Sequence, residues 1–176
     1  PKGVLLTHHN MLFIVASVMQ ALRMDPGDRS LSFLPWAHSF GQLAEVHALI
    51  QSGYSAGLVA DVNAIVDDMA LVKPTIFFAV PRVYNRIYDR LNTQIREKPA
   101  VIQNLFKAGL NRAKREREGE TLGFLDSLIL TLARKIIFRK ILDRFGGRLR
   151  LAVSGASALS PDVAEFVNDL GIMVLE

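Results

Sequence analysis

The alternation of apolar runs with polar breaks predicts a chain of alternating strands and helices. Short runs rich in β-branched and aromatic residues predict five buried strands, and several of these runs end at a proline or glycine. The five runs span residues 31–34, 55–60, 75–80, 149–153 and 172–175. Apolar residues at helical spacing occupy the segments between most of them. Thr7 is predicted to cap a helix that begins near His8, and Ser160 with Pro161 to begin a helix over residues 160–170. This alternation is typical of an α/β fold, so we predict a mostly parallel sheet flanked by helices.

The stretch 92–145 interrupts the alternation, because it contains no strand candidate. Apolar positions at helical spacing predict two long helices there, over residues 100–117 and 122–145. Gly119 separates the two helices, and a glycine pair at 146–147 ends the second. We therefore predict one α/β domain with a helical insertion around 92–145.

Positive charge is concentrated in this insertion. Residues 104–150 hold 12 basic and 5 acidic side chains, a net charge of +7, whereas the whole chain carries +4 and the remainder therefore −3. A basic amphipathic helix suits an anionic membrane surface, and the alternative is a solvated face on helices that pack into the core. Nucleic acid is not expected as a partner, because no recognition motif accompanies the basic stretch. For a membrane contact, the predicted cations are Arg134, Lys135, Arg139 and Lys140.

The composition is that of an ordinary globular domain, with 176 residues, of which 50% are hydrophobic and 22% charged. The absence of Cys excludes a disulfide scaffold, a Cys-based zinc site and a Cys nucleophile. The longest uncharged apolar run, residues 10–22, is shorter than the roughly 20 residues that a membrane span needs. Because the chain begins at Pro1 and ends at Glu176 directly after an apolar run, we expect it to be part of a longer protein.

Three segments carry candidate chemistry. The Lys2-Gly3 pair could bring an ammonium group to phosphate, with a surface turn as the alternative. The small side chains of residues 154–157 could let a flat ring lie on the backbone after a strand, or could simply form a tight turn. Trp36 and His38 follow another strand, where the histidine could orient a substrate or shuttle a proton, or could be a hydrogen-bonded structural residue.

Other common sites are not supported by the sequence. His8 and His9 are adjacent, so on a helix they diverge by about 100° and cannot chelate one metal together, and His47 is distant. The pattern Gly-x-Ser-x-Gly occurs once, at residues 53–57 (GYSAG), but its serine begins a predicted strand and does not follow one, so the nucleophile turn of hydrolases is not supported. The Gly-x-Gly-x-x-Gly dinucleotide motif is absent.

Taken together and in this order, the segments resemble the AMP-forming acyl ligases of the adenylate-forming superfamily. Residues 1–10 (PKGVLLTHHN) resemble the end of that family's phosphate loop, and residues 34–41 (LPWAHSFG) resemble the aromatic and histidine motif beside its acyl pocket. Residues 154–157 (SGAS) are similar to its adenine-binding loop, and residues 174–176 (VLE) to the strand that leads into its Gly-Tyr-Gly-x-Thr-Glu motif. Residues 73–84 (KPTIFFAVPRVY), followed by the helical excursion, look most like the long-chain fatty acyl-CoA synthetase branch.

The resemblance implies ATP-dependent activation of a long-chain fatty acid to acyl-AMP and then to acyl-CoA. It implies ATP, Mg²⁺ and coenzyme A as substrates and cofactor, and a cytoplasmic protein, in one alternative peripheral on the inner membrane face. It implies nucleotide-binding roles for Lys2, Gly3, Ser154, Gly155, Ala156, Ser157 and Glu176. It implies acyl-binding roles for Trp36, His38 and Phe40, with His38 as the catalytic residue that orients the substrate. It assigns no metal ligand to this chain.

The resemblance also implies that residues 1–176 are a fragment of the AMP-binding N-terminal domain, without the mobile C-terminal domain. We therefore expect this chain alone to be inactive. Two alternatives remain at this point. One is another adenylate-forming ligase, with a medium-chain or aryl acid or an acyl-carrier-protein acceptor. The other is a non-catalytic basic α/β module that binds membrane or nucleic acid.

Overall fold

A five-stranded sheet forms the centre of the computed structural model, which describes residues 3–176. The strand order is β2-β1-β3-β4-β5, and every neighbouring pair is parallel. The strands are β1 (Arg29–Ser32), β2 (Ser55–Leu58), β3 (Ile76–Ala79), β4 (Leu151–Ser154) and β5 (Met173–Leu175). All five predicted strands are confirmed, although β1 begins and ends about two residues earlier than predicted, and β4 is also shifted.

Helices connect the strands and cover the sheet. They are α1 (His8–Leu22), α2 (Ser39–Gly41), α3 (Ala48–Ser52), α4 (Ile65–Val72), α5 (Pro81–Arg96), α6 (Ala100–Arg117), α7 (Phe124–Ala133), α8 (Arg139–Arg144) and α9 (Pro161–Asp169). Wider π-helical turns join α2 to α3 (Gln42–His47) and α7 to α8 (Arg134–Phe138). Residues 81–150 are all described and contain no strand, which confirms the predicted helical insertion.

The central strand β3 is buried on both sides. Strand side chains alternate between the two faces of a sheet, so Ile76 and Phe78 pack with α1 and α3, whereas Phe77 and Ala79 pack with the helices from α4 to α9. All four residues of β3 are buried. This double burial explains why the strand is a continuous apolar run and not an alternating one.

A buried carboxylate joins the amino ends of three strands. Asp28, just before β1, accepts a hydrogen bond from Thr75 Oγ1 at 2.6 Å and pairs with Arg150 Nη2 at 2.6 Å. Thr75 precedes β3, and Arg150 precedes β4. Burial alone would raise the pKa of Asp28, but the hydrogen bonds from Arg150 and Thr75 outweigh it and hold that pKa below its usual value. The same guanidinium donates to the carbonyl of Arg23 at 3.2 Å, which fixes the end of α1 at this edge of the sheet.

The helical insertion packs on the rest of the domain through small and aromatic residues. A methyl group added to Gly109 of α6 would lie 2.4 Å from the Cβ atom of Ala133 in α7, so the glycine permits this close approach. Phe106 contacts Phe138 and Phe166 edge-on, with ring centroids 6.0 and 6.2 Å apart, which ties the insertion to α9. Within residues 3–176, no helix combines the length and the apolar character that crossing a membrane requires.

Candidate active site

Three segments that the sequence singles out meet at one edge of the sheet. Parallel strands all end at the same edge, and the register pairs Ala79 with Ser154 and Val153 with Leu175. The chain after β1 leads to Trp36 and the segment beyond it, the chain after β4 forms the small-residue loop, and Glu176 follows β5. Open α/β sheets bind ligands outside the carboxyl ends of their strands, so this edge is the candidate site.

Phe40 and Gly155 are in direct contact at this edge. A Cβ atom added to Gly155 would lie 2.7 Å from Cζ and 2.8 Å from Cε2 of Phe40, so a glycine is needed for the ring to approach this closely. The amide of Gly155 donates to the carbonyl of Ala79 at 3.2 Å, which holds the loop on the end of β3. The contact joins the predicted acyl-binding segment to the predicted adenine-binding loop.

The small-residue loop exposes its backbone and turns sharply. Ala156 has a φ of +74°, a left-handed conformation that is uncommon for any residue except glycine. The Ser157 side chain is exposed, whereas the Ser154 hydroxyl is buried at the end of β4 and has no hydrogen-bond partner among residues 3–176. Glu176 accepts a hydrogen bond from the Leu159 amide at 3.2 Å, so it lies against the far end of this loop.

Glu45 fixes the chain that leaves β1. Its side chain is 1% exposed and lies in the π-helical turn between α2 and α3. One carboxylate oxygen accepts the backbone amides of Phe33 and Leu34, both at 3.1 Å. The other accepts the Ser32 hydroxyl at 2.5 Å and Trp36 Nε1 at 3.2 Å. An ionised carboxylate is purely an acceptor, and four donors converge on this one.

His38 and Trp36 lie at the surface of the site. The Nδ1 atom of His38 accepts the Phe40 amide at 3.2 Å and caps α2, an arrangement that assigns the imidazole proton to Nε2. The imidazole is hydrogen-bonded, as the structural alternative requires, and it is also exposed. The Trp36 side chain is 51% exposed, while its indole nitrogen is held by Glu45. An exposed Nε2–H can donate to an anionic ligand.

The predicted phosphate-binding segment is described only in part. Lys2 lies outside the described residues, and Gly3 lies in an exposed segment without regular structure, before α1. Thr7 caps α1 with a capping box, which confirms the predicted helix start.

A cavity of about 400 Å³ borders the same edge of the sheet. Pro35 and Val80 form part of its apolar wall, next to the ends of β1 and β3. Three arginines on α5 also line it, namely Arg82, Arg86 and Arg90. Its volume lies within the ~300–1,000 Å³ of typical ligand sites, and it combines apolar walls with positive charge.

Among residues 3–176, no three His, Asp or Glu side chains converge on a possible cation site.

The whole chain, residues 1–176, matches the AMP-binding enzyme family. It is 38% identical over 173 residues to the peroxisomal long chain acyl-CoA synthetase 7 of Arabidopsis thaliana, covering 96% of this chain and 23% of that protein. It is 32% identical over 175 residues to long-chain-fatty-acid–CoA ligase 1 of Homo sapiens, covering 96% of this chain and 24% of that protein. The chain thus spans about a quarter of the length of these curated relatives.

A solved structure shares the fold. It is the A domain of a carboxylic acid reductase from Segniliparus rugosus, in complex with AMP and a co-purified carboxylic acid. The TM-score is 0.60 at 22% identity, and the match covers 99% of this chain and 25% of that one. The fold is thus that of an adenylate-forming α/β domain. This chain belongs to the AMP-binding enzyme family.

Two features of the site were missed from the sequence. Glu45 is an acidic residue within an apolar helical run, and a charge in such a run is the signal that could have indicated a buried carboxylate. The three arginines of α5 recur every four residues and so share one helix face, and this spacing is the signal that could have indicated a basic wall.

Proposed function

We propose that this chain is the nucleotide- and acyl-binding segment of a long-chain fatty acyl-CoA synthetase of the AMP-forming type. The observation that carries the proposal is the contact of Phe40 with Gly155, which brings an aromatic and histidine segment against a small-residue loop at the carboxyl edge. The long-chain names of relatives at 31–38% identity support the choice of acid. On this proposal, residues 1–176 are a fragment of the AMP-binding N-terminal domain.

The proposed reaction has two steps. A carboxylate oxygen of the fatty acid attacks the α-phosphorus of ATP, the bond from that phosphorus to the bridging oxygen breaks, and pyrophosphate leaves. The coenzyme A thiol then loses its proton to water, its sulfur attacks the acyl carbon, and AMP leaves with the electron pair of the acyl–oxygen bond. Carboxylate and triphosphate are both anions, so the site must hold them together with cations and with N–H donors.

Each part of the edge has a proposed role. The backbone of Gly155, Ala156 and Ser157 contacts the adenine ring. Ser154 holds the start of this loop at the end of β4, and Glu176 lies at the far end of the loop. Trp36 and Phe40 line the start of the acyl site. The Nε2–H of His38 donates to the fatty carboxylate and orients it. Lys2 and Gly3 are proposed at the phosphates.

The cavity beside Pro35 is the proposed space for the acyl chain. Its apolar wall provides a favourable surface for methylene groups, which gain about 0.8 kcal/mol each when buried. Long acids therefore bind more tightly than short ones, provided that the cavity accepts the whole chain.

An ATP–pyrophosphate exchange assay on the full-length protein tests the function. Exchange should depend on added fatty acid and should be greatest with acids of C12–C18. Strong exchange with medium-chain or aryl acids, and none with C12–C18 acids, would show that the protein belongs to another branch of the family. Thioester formation with coenzyme A, compared with an acyl-carrier protein, identifies the acceptor.

A histidine substitution tests the role of the site. His38→Gln should raise KM for the fatty acid by about tenfold, because an orienting hydrogen bond is lost. His47→Gln is the matched control, since His47 lies in the same helical run but outside the edge. Equal KM values in the two variants would contradict the proposed role of His38.

The isolated 176-residue chain should show no pyrophosphate exchange and at most weak nucleotide binding. Fatty-acid-dependent exchange by the chain alone would overturn this part of the proposal. A cytoplasmic location is also proposed, and fractionation of cells that express the full-length protein would check it.

A further inference from the structure

An apolar stripe runs along the outer face of the helical insertion. Its side chains recur about every four residues along α7 and into the π-helical turn that follows, and all are exposed. Phe124 and Leu125, at the start of the stripe, are 83% and 71% exposed. The stripe consists of Phe124, Leu125, Leu128, Leu132 and Ile136. A contiguous exposed apolar patch of this kind marks an interaction surface in soluble proteins.

Unneutralised positive charge lies along the end of this stripe. Lys135, Arg139 and Lys140 are exposed, and no carboxylate among residues 3–176 lies within 4.0 Å of their charged groups. Arg134, which the sequence alone groups with them, pairs instead with Glu116 at 2.5 Å. Among residues 3–176, the cations without a carboxylate partner at the end of the stripe are therefore these three, whereas Arg134 is paired.

A groove of about 300 Å³ continues this surface. Lys98, Lys140 and Arg144 are the cations around it, and Ile136 belongs to both the groove and the stripe. The remaining wall is mostly apolar, with Leu91, Ile95, Ile102, Ile137 and Ile141. Apolar area and positive charge thus alternate over one continuous face of the molecule.

We propose that this face docks on an anionic lipid bilayer. The apolar stripe would enter the boundary between headgroups and acyl chains, and Lys135, Arg139 and Lys140 would lie at the lipid phosphates, as in helices that lie in the membrane plane. A nucleic acid would match the cations but would gain nothing from the exposed Phe and Leu side chains. The proposal goes beyond the ligase reaction and shares no residue with the site at the carboxyl edge.

Charge reversal in the full-length protein tests the electrostatic part. The face variant is Lys135→Glu/Arg139→Glu/Lys140→Glu. The matched control, with the same change in net charge, is Arg96→Glu/Lys107→Glu/Arg148→Glu. Its three exposed cations lie on α5, on α6 and in the loop before β4. Co-sedimentation is measured with phosphatidylcholine vesicles with and without phosphatidylserine, at low and high salt. Each cation at an anionic surface contributes about a fivefold increase in binding, so the face variant should bind about 100-fold more weakly. Vesicle binding by the control variant should stay within about fivefold of that of the unmodified protein.

A second variant tests the apolar part at constant charge. Leu125→Gln/Leu128→Gln/Leu132→Gln replaces exposed side chains by a residue with good helix propensity, so the fold should be retained, and circular dichroism checks this. Binding should weaken by about tenfold or more and should keep its dependence on salt.

Three results would overturn the proposal. The first is equal binding by the face variant and its control. The second is binding that does not depend on phosphatidylserine. The third is a Leu128→Cys thiol that fails to react with a water-soluble maleimide in the folded full-length protein, because another segment of the protein would then cover the face.

Discussion

Removing the charge of Glu45 tests how the site is held together. Four donors converge on this buried carboxylate: two backbone amides, a serine hydroxyl and the indole N–H of Trp36. The side chain touches the chain between β1 and His38 and no proposed substrate position, so it is a positioning residue. Loss of the Glu45 carboxylate should therefore make the acyl-binding segment less ordered, and should affect the adenine-binding loop less.

The loss of stability expected for Glu45→Gln follows from the hydrogen bonds that the glutamine amide can still accept. Its oxygen can keep the two backbone amides, and Ser32 Oγ, 3.3 Å from Trp36 Nε1, can accept the indole proton instead. Bonds to a charged acceptor contribute about 1.5–3 kcal/mol, and bonds to a neutral one about 0.5–1.5 kcal/mol. Because a neutral amide costs less to bury than a carboxylate, the net loss of stability should be about 1–2 kcal/mol.

Glu45→Ala is the more severe change. The amides of Phe33 and Leu34 then lose their acceptor, and a buried unsatisfied donor costs about 1–3 kcal/mol. The cavity left behind adds to this cost. The total loss in the free energy of unfolding should be about 4 kcal/mol, clearly more than for the glutamine variant.

Urea unfolding and steady-state exchange kinetics on the full-length protein measure both effects. Glu45→Gln should raise KM for the fatty acid by about tenfold and leave KM for ATP within about twofold, because the displaced segment carries Trp36 and His38. Glu97→Gln, an exposed change of the same chemistry, is the control. Equal stability of the glutamine and alanine variants, or a change in KM for ATP alone, would refute the reasoning.

Three further predictions concern other parts of the domain. Gly155→Ala should raise KM for ATP by about tenfold, since its methyl group would lie 2.7 Å from the Phe40 ring; an unchanged KM in the exchange assay would contradict the contact. Asp28→Asn should cost about 2 kcal/mol in urea unfolding at pH 7. Because the pKa of Asp28 is lowered in the folded state, this difference should be complete above pH ~4 and should disappear as the pH falls through the folded pKa. Gly109→Ala should destabilise by about 2 kcal/mol despite better helix propensity, and adding Ala133→Gly should restore most of the loss in urea unfolding.

The sheet could be predicted because its strands are short apolar runs bounded by turn residues. β3 is the clearest case, as an apolar run between two prolines that is buried on both faces. Helix ends were predictable where a local bond defines them, as at Thr7, whose side chain accepts the amide of Asn10 at 3.2 Å. Ser160 was a less successful prediction: Pro161 opens α9 as expected, but the Ser160 side chain makes no capping bond.

The site was predictable only at the level of its segments. Residue patterns located the loop after β4 and the segment after β1, because small or aromatic residues stand out after a strand. They could not show that Glu45 reaches back to Phe33 and Leu34, since that contact depends on the π-helical turn that places the carboxylate. Nor could charge counting show that Arg134 is neutralised, because its partner Glu116 lies on another helix.

Strand order explains why Phe40 and Gly155 have to be these residue types. The segment with Phe40 follows β1, the loop with Gly155 follows β4, and β3 lies between the two strands. A side chain that joins the two segments must therefore cross the end of β3, where Phe40 packs in one cluster with Val80 and Val153. The Phe40 ring fills this space so closely that a Cβ atom at residue 155 would lie 2.7 Å from its Cζ, so the aromatic residue and the glycine depend on each other.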